Sequence, residues 1–419
     1  MSGPQLQQAV DHLFRHESGK MVAVLTRLLG LQHLEAAQDI VQDTLLQALH
    51  TWRFRGLPDN PPAWLHRVAR NKAMDLLRRE QTFRRKVHPE YQYRLQSEYS
   101  LGATVHGAFE EGAIEDSLLR MIFACCHPCI PVEAQLALAL KTLCGLSNGE
   151  IARAFLTGEE AIAKRIYRAR TAMREQGITL ELPPPSEISR RLDAVLHCLY
   201  LLFNEGYHSA HPDRIIREDL CEEAMRLAYQ LTKNERTDGP RTAALLALFC
   251  FQAARLPARL DDRGQIILLQ HQDRSLWYRP LIAKGFSFLE GATGRETSVY
   301  HLEAAIAYFH ASAPSFEATD WKAIYYLYSV LHTQRPTPFI ALNKAIAALY
   351  AQGAATALAE LREIRGLENH NLYLTALGDV YVQLQRRATA VDCYLQALGC
   401  TAAPAEKELL QRKLGACAE

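Results

Sequence analysis

Cys125, Cys126, His127 and Cys129 form the densest set of soft ligands in the 419-residue chain. Thiolates and an imidazole so close together suit zinc binding or thiol redox chemistry. A structural zinc site needs a second ligand pair at finger-like spacing, and none follows. Small apolar cysteines also pack inside helical cores. The expectation is therefore no metal and no cofactor. Asp193, Glu205 and the segment HQDRSLW, with Asp273 and Arg274, have the polar density of an active site. No nucleophile and base stand together there, and no glycine loop is present to cradle a phosphate, so no catalytic residue is assigned and the chain is expected not to be an enzyme. The third chemical feature is charge. Between Trp52 and Arg94 there are eleven Lys and Arg against four Asp and Glu, in a chain whose net charge is only +1. Such a stripe is the footprint that a polyanion such as nucleic acid selects.

These side chains must be positioned by helices. Apolar residues recur at helical spacing from end to end, strand-like alternation is nearly absent, and Gly and Pro fall mostly between periodic segments, which predicts an all-α protein. The expected organisation is a helical block over 7–80, a polar linker over 81–116, a second helical block over 117–175, a Pro-rich linker over 176–187 carrying Pro183, Pro184 and Pro185, and a helical array over 188–419. With 48% apolar and 22% charged residues the composition is that of a folded protein. The N-terminal residues lack the apolar run of a signal peptide and no segment has the length of a membrane span, so a cytoplasmic protein with no membrane partner and ten reduced cysteines is expected.

In the first block, Val41, Leu45, Ala48, Leu49 and Trp52 form one helical stripe and leave Gln38, Asp39, Gln42 and Asp43 as an acidic, polar cluster elsewhere on the helix. Asn60 is a good N-cap for the next helix, with Pro61 and Pro62 suited to its first turn. Leu65, Ala69, Ala73 and Leu76 then face inward, and Arg67, Asn71, Asp75 and Arg78, flanked by Arg70 and Arg79, come out on the other side. Cations and an amide on one exposed face suit phosphates and unstacked bases. DIVQDTLLQALHTW followed by PAWLHRVARNKAMDLLRR closely resembles regions 2.2 to 2.4 of the group-four, extracytoplasmic-function sigma factors of the sigma-70 family. The resemblance implies a sigma region 2 domain. It assigns Asp39, Gln42 and Asp43 to core RNA polymerase, at the β′ clamp helices, and Arg67, Arg70, Asn71, Asp75 and Arg78 to the minus-10 element of promoter DNA.

In the second block, Ser147 with Glu150 and Thr157 with Glu160 each have capping-box spacing, which leaves room only for a short helix and a tight turn between two helix starts. Ile151, Ala154 and Phe155 can pack on Ile162, Ile166, Ala169 and Met173, the geometry of a helix-turn-helix. Glu160, Ala161, Lys164, Tyr167 and Arg168 stand opposite, with Arg165 at the margin. GLSNGEIARAFLTGEEAIAKRIYRARTAM resembles sigma region 4.2. That resemblance implies that Glu160, Ala161, Lys164, Arg165 and Arg168 face the minus-35 element, and that neighbouring surfaces meet the polymerase β-flap. Glu160, Ala161 and Ala163 depart from the family pattern, which bears on base preference rather than on the role.

In the array, NLYLTALGDVYVQLQRRATAVDCYLQALG has Leu377, Gly378, Tyr381, Ala390, Tyr394 and Ala397 at tetratricopeptide offsets, giving one best repeat over 371–404. Upstream segments are compatible with degenerate repeats. The array resembles the C-terminal extension of a subgroup of the same sigma factors and implies regulation of the chain, with a protein or peptide partner as one route. Two other readings stay open: a helix-turn-helix regulator with a repeat sensor domain, and a helical scaffold or metal-redox protein.

Overall fold

The computed structural model describes residues 3–87, 98–155, 157–208, 216–294, 297–401 and 403–418. Among these residues the regular structure is all helix, with no strand and one antiparallel bridge, Leu260 to Ile266. The chain divides into two compact units, Met1–Cys198 and Leu199–Glu419.

At the centre of the first unit is α1 (Gly3–Leu29). It packs against α2 (Leu34–Arg55), α3 (Pro61–Val87), α5 (Glu111–Cys125) and α6 (Val132–Leu143). Its run Met21–Leu25 is buried on every side, as a helix surrounded by other helices requires. Gly19 allows the closest of these approaches. A Cβ there would lie 1.9 Å from the carbonyl oxygen of Leu143 in α6, so any side chain would push the two helices apart. Two residues earlier, Glu17 is 4% exposed, and its carboxylate takes His66 Nε2 of α3 at 2.6 Å and Lys20 Nζ at 2.9 Å. Burial pushes this carboxyl up. Hydrogen bonds from His16, His66 and Lys20 outweigh that effect and hold it well below the usual carboxylate range.

The stretch expected as a linker, 81–116, is helical in its described parts. It holds the end of α3, then α4 (Glu98–Ala108), then the first residues of α5. The sequence there has few apolar residues, but α4 needs only a small contact: Val105 is fully buried where α4 meets α1 and α3. Next come α7 (Asn148–Ala154) and α8 (Glu159–Glu175), which pack on each other, with α6 against α8. Among the Pro-rich residues, α9 (Pro185–Tyr207) begins at the last proline of the three.

The second unit comprises α10 (Glu218–Leu231), α11 (Pro240–Ala253), α12 (Arg279–Gly291), α13 (Val299–Ser312), α14 (Trp321–Gln334), α15 (Pro338–Ala351), α16 (Ala354–Glu363), α17 (Asn371–Gln383), α18 (Arg387–Gly399) and α19 (Pro404–Ala418). From α10 onward each helix packs on the next, so the core is a continuous series of pairwise contacts. Gly378 and Tyr394 form the closest of these in the α17–α18 pair. A Cβ on Gly378 would meet the Tyr394 ring at 2.3 Å. The ring is held in place by its hydroxyl, which donates to Asp379 at 2.6 Å, and Asp379 also takes Lys413 Nζ of α19 at 2.6 Å.

Two stability predictions follow from α1. Gly19→Ala is expected to cost about 1–3 kcal/mol by overpacking α1 against α6. Thermal denaturation followed by circular dichroism should show a lowered first-unit transition, and an unchanged melt would contradict the close approach. For Glu17 the folded pKa is depressed, so its contribution is present above the unfolded carboxylate value of about 4.3 and is lost as pH falls through the folded value. Glu17→Gln should therefore lower stability at neutral pH by on the order of 2 kcal/mol. The difference from the parent chain should shrink below about pH 4, and a pH-independent difference would argue against the charged bond.

Candidate nucleic-acid interface

Helix α2 buries Leu34, Ala37, Val41, Thr44, Ala48 and Trp52. Asp39, Gln42 and Asp43 are exposed on the other side, as their spacing predicts. Leu49 corrects the expected stripe: it is 43% exposed, and Thr44 rather than Leu45 completes the buried row, its hydroxyl bonded back to the Ile40 carbonyl at 2.7 Å. The side chain is small enough to be buried once its hydroxyl is satisfied within the helix. Asp43 lies 3.9 Å from Lys72 of α3, a loose surface pair that spends little of either charge.

Helix α3 begins as expected, with Asn60 Oδ1 accepting from the Ala63 N–H at 3.0 Å. Leu65, Ala69 and Ala73 are fully buried, and Leu76 is half-buried at the margin. Arg67, Asn71, Asp75, Arg78 and Arg79 are exposed and Arg70 is half-buried, so one face carries cations and an amide along about three turns. Two aromatic side chains missed from sequence lie at the start of this helix and at the end of α2. Trp64, half-buried in the first turn, packs edge-on against the buried Trp52 with ring centroids 5.5 Å apart. Phe54 is 72% exposed between Arg53 and Arg55 at the end of α2. The signal that could have found Phe54 is the alternation RFR, which puts a ring between two cations. An exposed ring beside guanidinium groups is a stacking surface for a base.

Helix α7 begins with the expected capping box: Ser147 Oγ accepts from the Glu150 N–H at 3.2 Å, and Glu150 accepts from the Ser147 N–H at 2.8 Å. The second box does not form. The residue that caps α8 is Gly158, with no side-chain cap, and Thr157 instead donates its N–H to Ala152 at 3.0 Å to close the turn. Glu159 and Glu160 supply acidic charge at the helix N-terminus in place of a hydroxyl cap. Ile162, Ile166, Ala169 and Met173 are buried as predicted. Lys164, Tyr167 and Arg168 are exposed, Ala161 and Arg165 are half-buried, and Glu160 pairs with Lys164 at 2.7 Å along the helix.

The first unit brings the two candidate surfaces together. Arg170 of α8 donates to Gln38 at 2.5 Å and to Glu35 at 3.1 Å, both on α2. A cavity of about 390 Å³, lined by Leu31, Leu34, Glu35, Tyr167, Arg170 and Met173 among others, lies between these helices. Arg15 of α1 pairs with Glu150 of α7 at 2.9 Å. Gln38 is thus occupied in this arrangement, while Asp39, Gln42, Asp43, Arg67, Asn71 and Arg168 face outward. The cysteine cluster is arranged differently from a metal site. Cys125 and Cys126 are buried, burial pushes the Cys125 thiol far up, and His127 Nδ1 accepts from the Cys129 N–H at 3.2 Å. Among the described residues no group of His, Cys, Asp and Glu is placed to hold a metal ion, and no helix is long and apolar enough to cross a membrane.

Comparison with known proteins agrees with this geometry. Sigma-70 region 2 matches residues 13–83, which take in most of α1, all of α2 and most of α3. A family of unknown function (DUF6596) matches residues 191–293. The chain is 34% identical over 386 residues to an uncharacterized protein of Rhizobium meliloti, covering 91% of this chain and 90% of that protein. It is 27% identical over 169 residues to the ECF RNA polymerase sigma factor SigE of Mycolicibacterium smegmatis, covering 39% of this chain and 60% of that one. No solved structure matches. The basic helix thus lies inside the segment that matches sigma-70 region 2, and the chain belongs to one family with the Rhizobium meliloti protein along nearly its whole length.

Proposed function

We propose that the chain is an extracytoplasmic-function, group-four sigma factor that directs core RNA polymerase to specific promoters and catalyses no reaction itself. The observation that carries the reading is α3, whose inner row Leu65, Ala69 and Ala73 is buried while Arg67, Asn71 and Arg78 are exposed. Such a face can hold the phosphates and splayed bases of an opened strand, with Phe54 and Trp64 available for stacking. On this reading Asp39, Gln42 and Asp43 of α2 meet the β′ clamp helices. Helices α7 and α8 act as a helix-turn-helix that reads the minus-35 element through Arg165, Arg168 and the Glu160–Lys164 pair. Region 4 adjoins the β-flap. The second unit acts as a tetratricopeptide-like regulatory extension in a cytoplasmic protein.

Promoter-specific transcription by purified chain with core polymerase tests the central claim. Arg67→Ala or Arg168→Ala is expected to weaken promoter binding by about 1–3 kcal/mol and relax specificity where the residue contacts a base. Where it contacts phosphate, the loss should be uniform across sequences and the salt slope should fall by about one. If the chain neither co-elutes with core enzyme nor redirects initiation, yet footprints duplex DNA alone, it is an ordinary DNA-binding regulator. Regulation by the second unit has its own test. A chain ending at Tyr207 should initiate at a rate different from that of the full chain, and equal rates would reject the regulatory role.

A further inference from the structure

The second unit holds a cavity that promoter recognition does not use. Its volume is about 740 Å³, within the range of small-molecule sites. One part of its lining is aromatic. Trp321 of α14 and Tyr350 of α15 stack with centroids 4.5 Å apart and planes 29° from parallel, and Phe316 stands edge-on to both at 5.0 and 5.1 Å. Another part is aliphatic and comes from the segment ahead of α12. Ile266, Ile267, Leu268 and Leu269 are four apolar residues in a row, all half-buried, with extended backbone at Leu268. Two side chains hold this backbone in place: Arg412 of α19 donates to the Ile266 carbonyl at 2.8 Å, and Gln272 donates to the Ile267 carbonyl at 3.1 Å. Stacked rings together with aliphatic side chains suit a flat apolar body.

The charged side chains of the lining are already met. Asp379 takes the Lys413 ammonium and the Tyr394 hydroxyl, each at 2.6 Å, and Arg412 is engaged by the Ile266 carbonyl. His310, edge-on to Trp321 at 5.2 Å, is held neutral, because burial together with Arg255 and Arg274 lowers its pKa to about 3. Burial pushes the Tyr328 and Tyr350 hydroxyls up, so both stay protonated. An ion entering here would lose water and find no opposite charge left to meet it. Hydrogen-bonding capacity does remain. The side-chain amides of Asn343 on α15 and Gln383 on α17 line the cavity, are exposed, and bond to nothing among the described residues. Each amide offers both a donor and an acceptor, and its complement is a ligand edge that carries acceptor and donor side by side, as a lactam does.

We infer that the second unit binds an uncharged planar heteroaromatic molecule with a lactam-type edge, its ring against Trp321, Tyr350 and the Ile266–Leu269 segment and its edge on the side-chain amides of Asn343 and Gln383. This inference rests on no part of the sigma-factor reading. The full-length chain would be titrated calorimetrically with carbostyril, a planar lactam, with quinoline, which keeps the ring but lacks the donor, and with quinaldate, which adds a carboxylate. Saturable one-to-one binding of carbostyril is expected, about fivefold or more tighter than quinoline and about tenfold or more tighter than quinaldate. Tyr350→Ala should weaken carbostyril binding about fivefold or more. Asn343→Leu and Gln383→Leu should each narrow the gap between carbostyril and quinoline, while Arg387→Gln, on the exposed surface of α18, leaves all three affinities unchanged. No saturable binding of carbostyril would overturn the proposal. Equal or tighter binding of quinaldate, or carbostyril binding untouched by all three cavity substitutions, would do the same. If a variant loses its helical circular dichroism, the ranking of the three probes on the parent chain still decides the matter.

Discussion

A carboxylate buried among helices is tolerable only when its charge is met, and at Glu17 this requirement fixes how α3 lies on α1. The side chain has lost nearly all its water, so His66 and Lys20 must supply the bonds that water would have made. His66 immediately precedes Arg67 on the basic helix. A rotation of α3 large enough to turn Arg67, Asn71 and Arg78 inward would carry His66 away and leave Glu17 as an uncompensated buried charge. The polar bond thus selects one rotational setting among those that the apolar row of Leu65, Ala69 and Ala73 would allow, and the outward cationic face follows from it.

Net charge is close to neutral, so the fold, not the composition, makes the cationic surface. Some arginines are consumed in holding the first unit together: Arg15 on Glu150, Arg27 on Asp116, and Arg170 on Glu35 and Gln38. Others are left outward on α3 and α8. The acidic groups Glu150, Asp116 and Glu35 are taken up by the first set, so that cations outnumber carboxylates along the outward face of α3. Arg170 also has a conformational consequence, since it ties α8 to the helix that carries Asp39, Gln42 and Asp43. That tie is half-exposed and modest in strength, so a partner that competes for Gln38 or Glu35 faces a small free-energy difference.

Sequence legibility follows the same division. Periodicity revealed the helices and the outward face of α3, because an amphipathic row repeats every turn and needs no knowledge of neighbours. Asn60 and the Ser147–Glu150 box were legible because capping is local. Thr157 with Glu160 has the same spacing and failed, since the turn used the Thr157 N–H to close on Ala152 and left Gly158 to start α8. Leu49 was placed inward and lies outward, while Thr44 and Ala48 take the buried positions of that stretch. The polar stretch 81–116 suggested a linker because α4 is held by few apolar residues, Val105 among them, on helices distant in sequence. The Glu17–His66 bond joins positions 49 apart and left no local mark. Phe54 was legible in principle, but an aromatic in an amphipathic helix is ordinarily read as core.

HQDRSLW illustrates the other kind of failure, where the density of polar residues was legible and its meaning was not. From sequence, Asp273 and Arg274 look like a pair with chemistry in common. In the fold they are separated in function: Asp273 caps its own short turn at the surface, and Arg274 points toward Trp277 with Arg255. Elsewhere Arg15, Arg27 and Arg217 are each met by a carboxylate. In HQDRSLW, Arg274 Nη1 is held instead by the backbone carbonyls of His310 and Ala313, and its guanidinium lies over the Trp277 ring, so backbone oxygens and an aromatic face take the place of a carboxylate.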